Sequence, residues 1–175
     1  KNLEKRARGL DKDAIKLLAD ANTIKTNLEK SIPARMGDID ATPFNLLTTK
    51  PVIYVCNVDE ASAATGNEYV ERVREVAKQE GAEVLVIAAK IESEIAEFET
   101  YEERQMFLAE IGLEESGVAR LIKSAYALLK LKTYFTAGVQ EVRAWTFHDG
   151  WKAPQCAGVI HTDFEKGFIR AEVIK

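Results

Sequence analysis

Apolar positions in the first 32 residues recur at alternating steps of four and three: Leu3, Ala7, Leu10, Ala14, Leu17, Ala21, Ile24 and Leu28. A repeat of that kind is the seam of a coiled coil, so residues 1–32 are predicted to be helical. Gly9 interrupts the seam and Asp11 is a ready N-cap just beyond it, which allows either a helical hairpin turning near Gly9 or one long helix. Pro33 ends the element either way, because proline disfavours helix at the residue before it. Residues 34–50, with Gly37, two aspartates and Pro43, read as a linker. Pro51–Cys56 alternates little between apolar and polar, as a strand covered on both faces does. Residues 67–80 form an amphipathic pattern through Tyr69, Val73, Val76 and Ala77, closed by Gly81. Glu83–Ala89 reads as a second strand. Strand, helix, strand at this spacing predicts a right-handed parallel crossover.

Two further helices are predicted, over 101–111 ended by Gly112 and over 116–129. The pattern then changes. Glu141–Phe147 alternates and is aromatic, Asp149-Gly150 marks a hairpin turn, and Trp151–Ala153 is expected to pair back. Pro154 suits the first turn of a helix running to about Phe164 with Gly167 beyond it, and Phe168–Ile174 reads as a last strand. Two strands, a helix and one strand are the opening of a β-grasp domain. Both ends of the chain are therefore expected to cut through a structural unit.

Composition narrows the setting. With 46% hydrophobic and 30% charged residues, the 175-residue chain can build a core. The longest apolar run, Val84–Ala89, is far too short for a membrane span, and the charged start Lys-Asn-Leu-Glu-Lys-Arg has no secretory character. Cys56 and Cys156 make neither a disulfide framework nor a metal cluster. A cytoplasmic location is expected. The net charge of −4 is unevenly spread. Residues 1–35 carry 9 Lys/Arg against 5 Asp/Glu, 36–119 carry 6 against 18, and 120–175 carry 9 against 5. The two ends could approach a polyanion and the middle could not, although solvated surface is the plainer account of such excesses.

The sharpest chemistry lies at the first strand's end, Asn57-Val58-Asp59-Glu60. Ligands of parallel sheets lie at the carboxyl ends of the strands, and strand, Asn-x-x-acid, helix, strand is how P-loop domains build a base-recognition loop. An amide there can donate to a purine N7. Guanine-specific loops read Asn-Lys-x-Asp, the Asp accepting from guanine N1–H and its 2-amine. Here Val58 replaces the Lys and the longer Glu60 the Asp, which reads as favouring adenine. In the plainer reading Asn57 only turns the chain and Glu60 caps the next helix. Ala88-Ala89-Lys90 ends the second strand, where small residues let backbone N–H groups approach a base and the Lys90 stem can pack beside it. His148 and His161 have no companions that would make them metal ligands. Trp145, Phe147 and Arg143 share a strand face that could stack on RNA, although a small β domain needs such rings for its own core. No Gly-x-x-x-x-Gly-Lys-[Ser/Thr] occurs, so the chain reads as an internal fragment of a nucleotide hydrolase.

Four segments carry a resemblance: Asn57-Val58-Asp59-Glu60, the run from Ala88 to Glu94, the run from Leu131 to Gly138, and the run from Ala157 to Ala171. Together they resemble the YchF-type Obg-like ATPases over nearly the whole chain. The resemblance implies an α/β fold: a partial P-loop G domain with a parallel sheet and a helical-hairpin insertion, then a partial β-grasp (ubiquitin-like) TGS domain. Residues 1–35 would be the end of the helical insertion, 45–125 the C-terminal part of the G domain, and 130–175 the first half of the TGS domain. The 36–45 linker is shorter than usual for the family. Asn57, Val58 and Glu60 would map to the adenine-binding loop and Ala88, Ala89 and Lys90 to a second base-contacting loop. ATP would be the nucleotide, with Mg²⁺ held by residues absent from this chain, and no catalytic residue can be assigned here. The implied partners are ATP and the ribosome rather than DNA or a membrane. The parent is then expected to be an ATP hydrolase and this chain alone inactive. The alternatives are a non-catalytic ribosome- or RNA-binding module and an interaction domain with a vestigial nucleotide loop.

Overall fold

Gly9 decides between one helix and two. In the computed structural model, which describes residues 2–174, α1 (Asn2–Arg8) stops there and Leu10 takes a left-handed φ of 62°. Asp11 then caps α2 (Lys12–Glu29), accepting from the N–H groups of Asp13 and Ala14, both at 3.1 Å. The hairpin forms. Its geometry takes Leu10 out of the apolar seam and leaves it exposed, while Ala14 and Ile24 are buried.

By compactness the chain divides into Lys1–Cys56 with Thr65–Val86, and Asn57–Ala64 with Ile87–Lys175. In the first unit the expected linker is more than a tether. It makes three short 3₁₀ turns, Ala34–Met36, Thr42–Phe44 and Leu47–Thr49. Ala34 and Ala41 share a buried cluster with Ile24, against which Ile39, Phe44 and Leu46 pack. β1 (Ile53–Asn57) and β2 (Glu83–Ile87) form a small parallel sheet, joined through α3 (Glu68–Glu80). Asn67 caps α3 and Gly81 leaves it at φ 64°, a conformation glycine adopts without a Cβ penalty. Arg35 donates to Glu80 at the end of α3, and Tyr54 on β1 donates to the same carboxylate at 3.0 Å. The Arg35 guanidinium holds the Glu80 carboxyl below its ordinary range, and Glu80 in turn raises the Tyr54 hydroxyl.

In the second unit β2 stops two residues earlier than expected. Ala88 is the N-cap of a helix absent from the sequence reading, α4 (Ala89–Glu97). Ile91 and Ile95, one turn apart, bury there with Ala63, Ala88 and Leu108. α5 (Tyr101–Glu110) opens on a Thr100–Glu103 capping box and α6 (Gly117–Leu128) on Ser116, close to the predicted bounds.

The C-terminal segment corrects three expectations. β4 (Val142–His148) pairs not with Trp151–Ala153 but back onto β3 (Leu131–Ala137), antiparallel, with Tyr134 opposite Trp145. The hairpin loop is therefore Gly138–Glu141, and Asp149-Gly150 only turns the chain towards the next helix. The helix predicted over 154–164 is two, α7 (Ala153–Gly158) and α8 (Thr162–Lys166), the second capped by His161 Nδ1 accepting from Asp163 N–H at 3.3 Å. Residues 168–174 form no strand. Phe168, Ala171 and Val173 instead line a groove of about 660 Å³ with Tyr134, Phe147 and Cys156. The aromatic face does the packing work that a small sheet requires. Tyr134 donates to Cys156 O at 2.9 Å, Trp145 donates to Thr136 at 2.9 Å, and the Arg143 guanidinium covers the Trp145 ring at 4.2 Å. Among the described residues no helix is long and apolar enough to cross a membrane.

The Arg35–Glu80 contact makes stability depend on pH. A carboxyl whose folded pKa is depressed stabilises the fold above its unfolded value, about 4.3 for Glu, and that contribution is lost as pH falls through the folded value. Urea midpoints of wild type and Glu80→Gln should differ most at pH 7 and converge below pH ~4. A gap that stays constant down to pH ~3 would contradict this assignment.

Candidate functional site: the corner at the ends of β1 and β2

α4 begins on an alanine, and that fact organises the corner. The first N–H groups of a helix have no partner within it; an N-cap side chain takes that of the second or third residue, and the first residue's N–H needs an acceptor from elsewhere. For Ala89, the first residue of α4, it comes from the neighbouring strand: Asn57 Oδ1 takes its N–H at 3.0 Å. Next to it, Val58 N–H donates to Ile87 O at 2.9 Å. Two strand ends distant in sequence are thereby fixed side by side. Because an N–H must face an oxygen, the amide group of Asn57 is oriented, and its Nδ2 donors point away from Ala89. Asn57 is exposed, so those donors are open to a ligand.

The six residues expected to bind a base occupy different layers. Asn57 and Ala89 are exposed and joined. Ala88 is buried, its methyl part of the cluster with Ile91 and Leu108, and Val58 packs on that cluster from the other loop. Small size at Ala88 therefore serves packing, whereas at Ala89 it keeps the outer surface low. Lys90 is exposed on the first turn of α4, with Glu94 one turn on at 3.9 Å. Glu60 opens the 3₁₀ turn Glu60–Ser62, and the cap there is not Glu60 but Asp59, which accepts from Ser62 N–H at 2.9 Å. The next helix, α3, is capped by Asn67. The capping role considered for Glu60 is thus taken by two other residues, and its carboxylate faces solvent.

Sequence reasoning passed over Glu92. From the first turn of α4 its carboxylate accepts from Gly117 N–H at 2.6 Å and Val118 N–H at 3.3 Å, covering the start of α6. Ser116 Oγ takes the next amide, Ala119 N–H, at 3.1 Å. The signal was present in the four-residue step from Ile91 to Ile95, which is helical and not strand-like. Among the described residues no group of three or more His, Cys, Asp or Glu is gathered as a metal centre.

A parallel strand pair whose ends are joined by an amide, with open donors beside them, defines an α/β protein with a polar corner where such sheets take ligands. Comparison with known proteins gives the family. Ribosome-binding ATPase YchF of Bacillus subtilis (strain 168) is 52% identical over 180 residues, 98% of this chain and 49% of that protein. The protein of the same name from Escherichia coli O157:H7 is 47% identical over 178 residues, 98% of this chain and 48% of that protein. The structure of the Schizosaccharomyces pombe YchF GTPase superposes with a TM-score of 0.78 at 32% identity, covering 95% of this chain and 50% of that one. The YchF-GTPase_C family model, described as a protein of unknown function (DUF933), matches residues 131–175. The chain belongs to the YchF family. It spans about half the length of the curated relatives it matches.

Removing the Asn57 side chain should loosen the corner before it loosens the fold. Asn57→Ala leaves the Ala89 amide without its acceptor, and its hydrogen exchange should quicken by roughly an order of magnitude, consistent with a net hydrogen bond of about 1 kcal/mol. Amides of α5 should be unaffected. Unchanged exchange at Ala89 would mean that the amide does not close this turn.

Proposed function

We propose that the chain carries the base-recognising part of an ATPase that works at the ribosome. The supporting observation is the Asn57–Ala89 hydrogen bond, which orients the Asn57 amide with its donors outward at the carboxyl ends of two parallel strands. A purine N7 accepts from Asn57 Nδ2, and the exposed Ala89 and Lys90 leave its flank uncrowded. Glu60 stands where a guanine-reading loop would need a shorter carboxylate, and Val58, half-sunk in the core, supplies no Lys stem along the base. A site that does not match guanine's N1–H and 2-amine gives up its bidentate contact, so ATP is preferred over GTP.

In this reading residues 1–35 are the end of a helical insertion, 45–125 the C-terminal part of a G domain, and 130–175 the first half of a TGS domain. The phosphate loop and the Mg²⁺ ligands come from outside these 175 residues, and the protein is a cytoplasmic hydrolase. The ribosome enters through the relatives, whose names describe ribosome binding. The excess of Lys and Arg over residues 120–175 suits an RNA-rich partner.

Replacing Val58 by Lys and Glu60 by Asp in the full-length protein should move its preference towards GTP by roughly tenfold or more, read as the ratio of kcat/KM values. The introduced lysine stem would have to run out of the cluster to keep its ammonium in water, so a melting curve accompanies the kinetics. An unaltered ATP:GTP ratio in a folded variant would sink the base-loop reading. The 175-residue chain by itself should turn over no ATP, because phosphoryl transfer rests on phosphate and Mg²⁺ contacts far more than on the base. Hydrolysis by the purified chain, free of contaminating ATPase, would refute that division of labour.

A further inference from the structure

Glu92 ties the turn carrying Ala89 to the start of α6 by side-chain hydrogen bonds. Its backbone N–H donates to Ala88 O at 3.1 Å, the first hydrogen bond of α4. Its carboxylate reaches the opposite way, to the first two amides of α6. An anion at a helix start meets both open N–H donors and the positive end of the helix dipole. The fit is tight from both sides. Gly117 is buried, and a Cβ built there would stand 2.9 Å from Glu92 Oε1 and 3.0 Å from Ile87 Cγ1. Ile87 is the residue whose carbonyl receives Val58 N–H. The start of α6 is therefore seated against the end of β2 and the first turn of α4, and the fit has no room for a side chain at residue 117.

We propose that Glu92 is a positioning residue for nucleobase recognition. By holding the first turn of α4 against α6 it fixes where the Ala89 amide lies, hence how the Asn57 amide is aimed. Glu92 itself touches no nucleotide. The inference rests on the proposed reading of the corner as a base site.

The test uses the full-length protein and three variants: Glu92→Gln, Gly117→Ala, and the two together. Gln can accept one of the two amides but carries no charge, and the methyl added at position 117 pushes on the same contact from the other helix. Each should weaken binding of fluorescently labelled ATP by about tenfold. The double variant should cost no more than about the worse single, because both break one contact. Affinity for inorganic tripolyphosphate, which has no base, should stay within about twofold of wild type in every case. Equal losses for ATP and tripolyphosphate would reduce Glu92 to a general structural role and overturn the proposal. Base-dependent binding by wild type that the variants leave intact would overturn it while sparing the base-site reading. Wild-type affinity that is the same with and without a base would overturn both. Should Gly117→Ala fail to fold, Glu92→Gln alone decides between these outcomes.

Discussion

The corner depends on one hydrogen bond between two loops. A helix starting at Ala89 needs an acceptor for its first amide, which a side chain in the capping position does not reach. Asn57 supplies the oxygen from the neighbouring strand. Directly before Ala89, Ala88 is buried with Ile91 and Ile95. Polar satisfaction above and apolar burial below thus meet at the start of one helix. A serine or aspartate at position 88 would reach the second or third amide of α4 and leave the Ala89 N–H to Asn57, at the cost of a polar atom in the cluster. The direction of the amide's donors is set by the same bond that holds the loops together.

Much of the first unit was legible because its signals are local. Gly9 with Asp11 marked a turn and a cap, Asn67 and Gly81 bracketed α3, and the apolar runs gave both strands. The errors arose where local patterns admit two answers. Val84–Ala89 is a continuous apolar run, and periodicity cannot say where strand becomes helix inside it. The decision is made by an acceptor 32 residues away, which no window of sequence contains. The candidate site shows the same division. Asn57 and the Ala-Ala-Lys run were visible as residue types, whereas the bond between them, the burial of Ala88 and the role of Glu92 are tertiary facts.

The second hairpin failed in the sequence reading for a different reason. Asp149-Gly150 is a strong turn signal and drew the pairing to itself, yet the partner strand lies on the other side of β4. Turn chemistry says that the chain reverses; it does not say that both arms are strands. Lys132, Tyr134 and Thr136 face Phe147, Trp145 and Arg143 across β3 and β4, and this is the side that α7 covers through Tyr134 and Cys156. Cross-strand packing on one covered face therefore chose the register, as it does wherever one side of a ribbon is buried. Of the rings that could have stacked on RNA, Trp145 is engaged with Thr136 and Arg143 and Phe147 with Tyr134.

Charge explains why a corner of this kind would suit a base better than a phosphate. Residues 36–119 hold 18 acidic side chains against 6 basic ones, and a triphosphate brought there unaided would meet repulsion. A purine carries no net charge. It is read through amide dipoles and hydrogen bonds, which act at contact distance and tolerate an acidic surround. The same acidity hides Glu92 among Glu94, Glu97 and Glu99, all of one type in one short run. What separates it is its place on the first turn, facing two open amides where the glycine at 117 lets a carboxylate come close. One residue of an otherwise solvated run thereby becomes part of the scaffold on which the Asn57 amide is aimed.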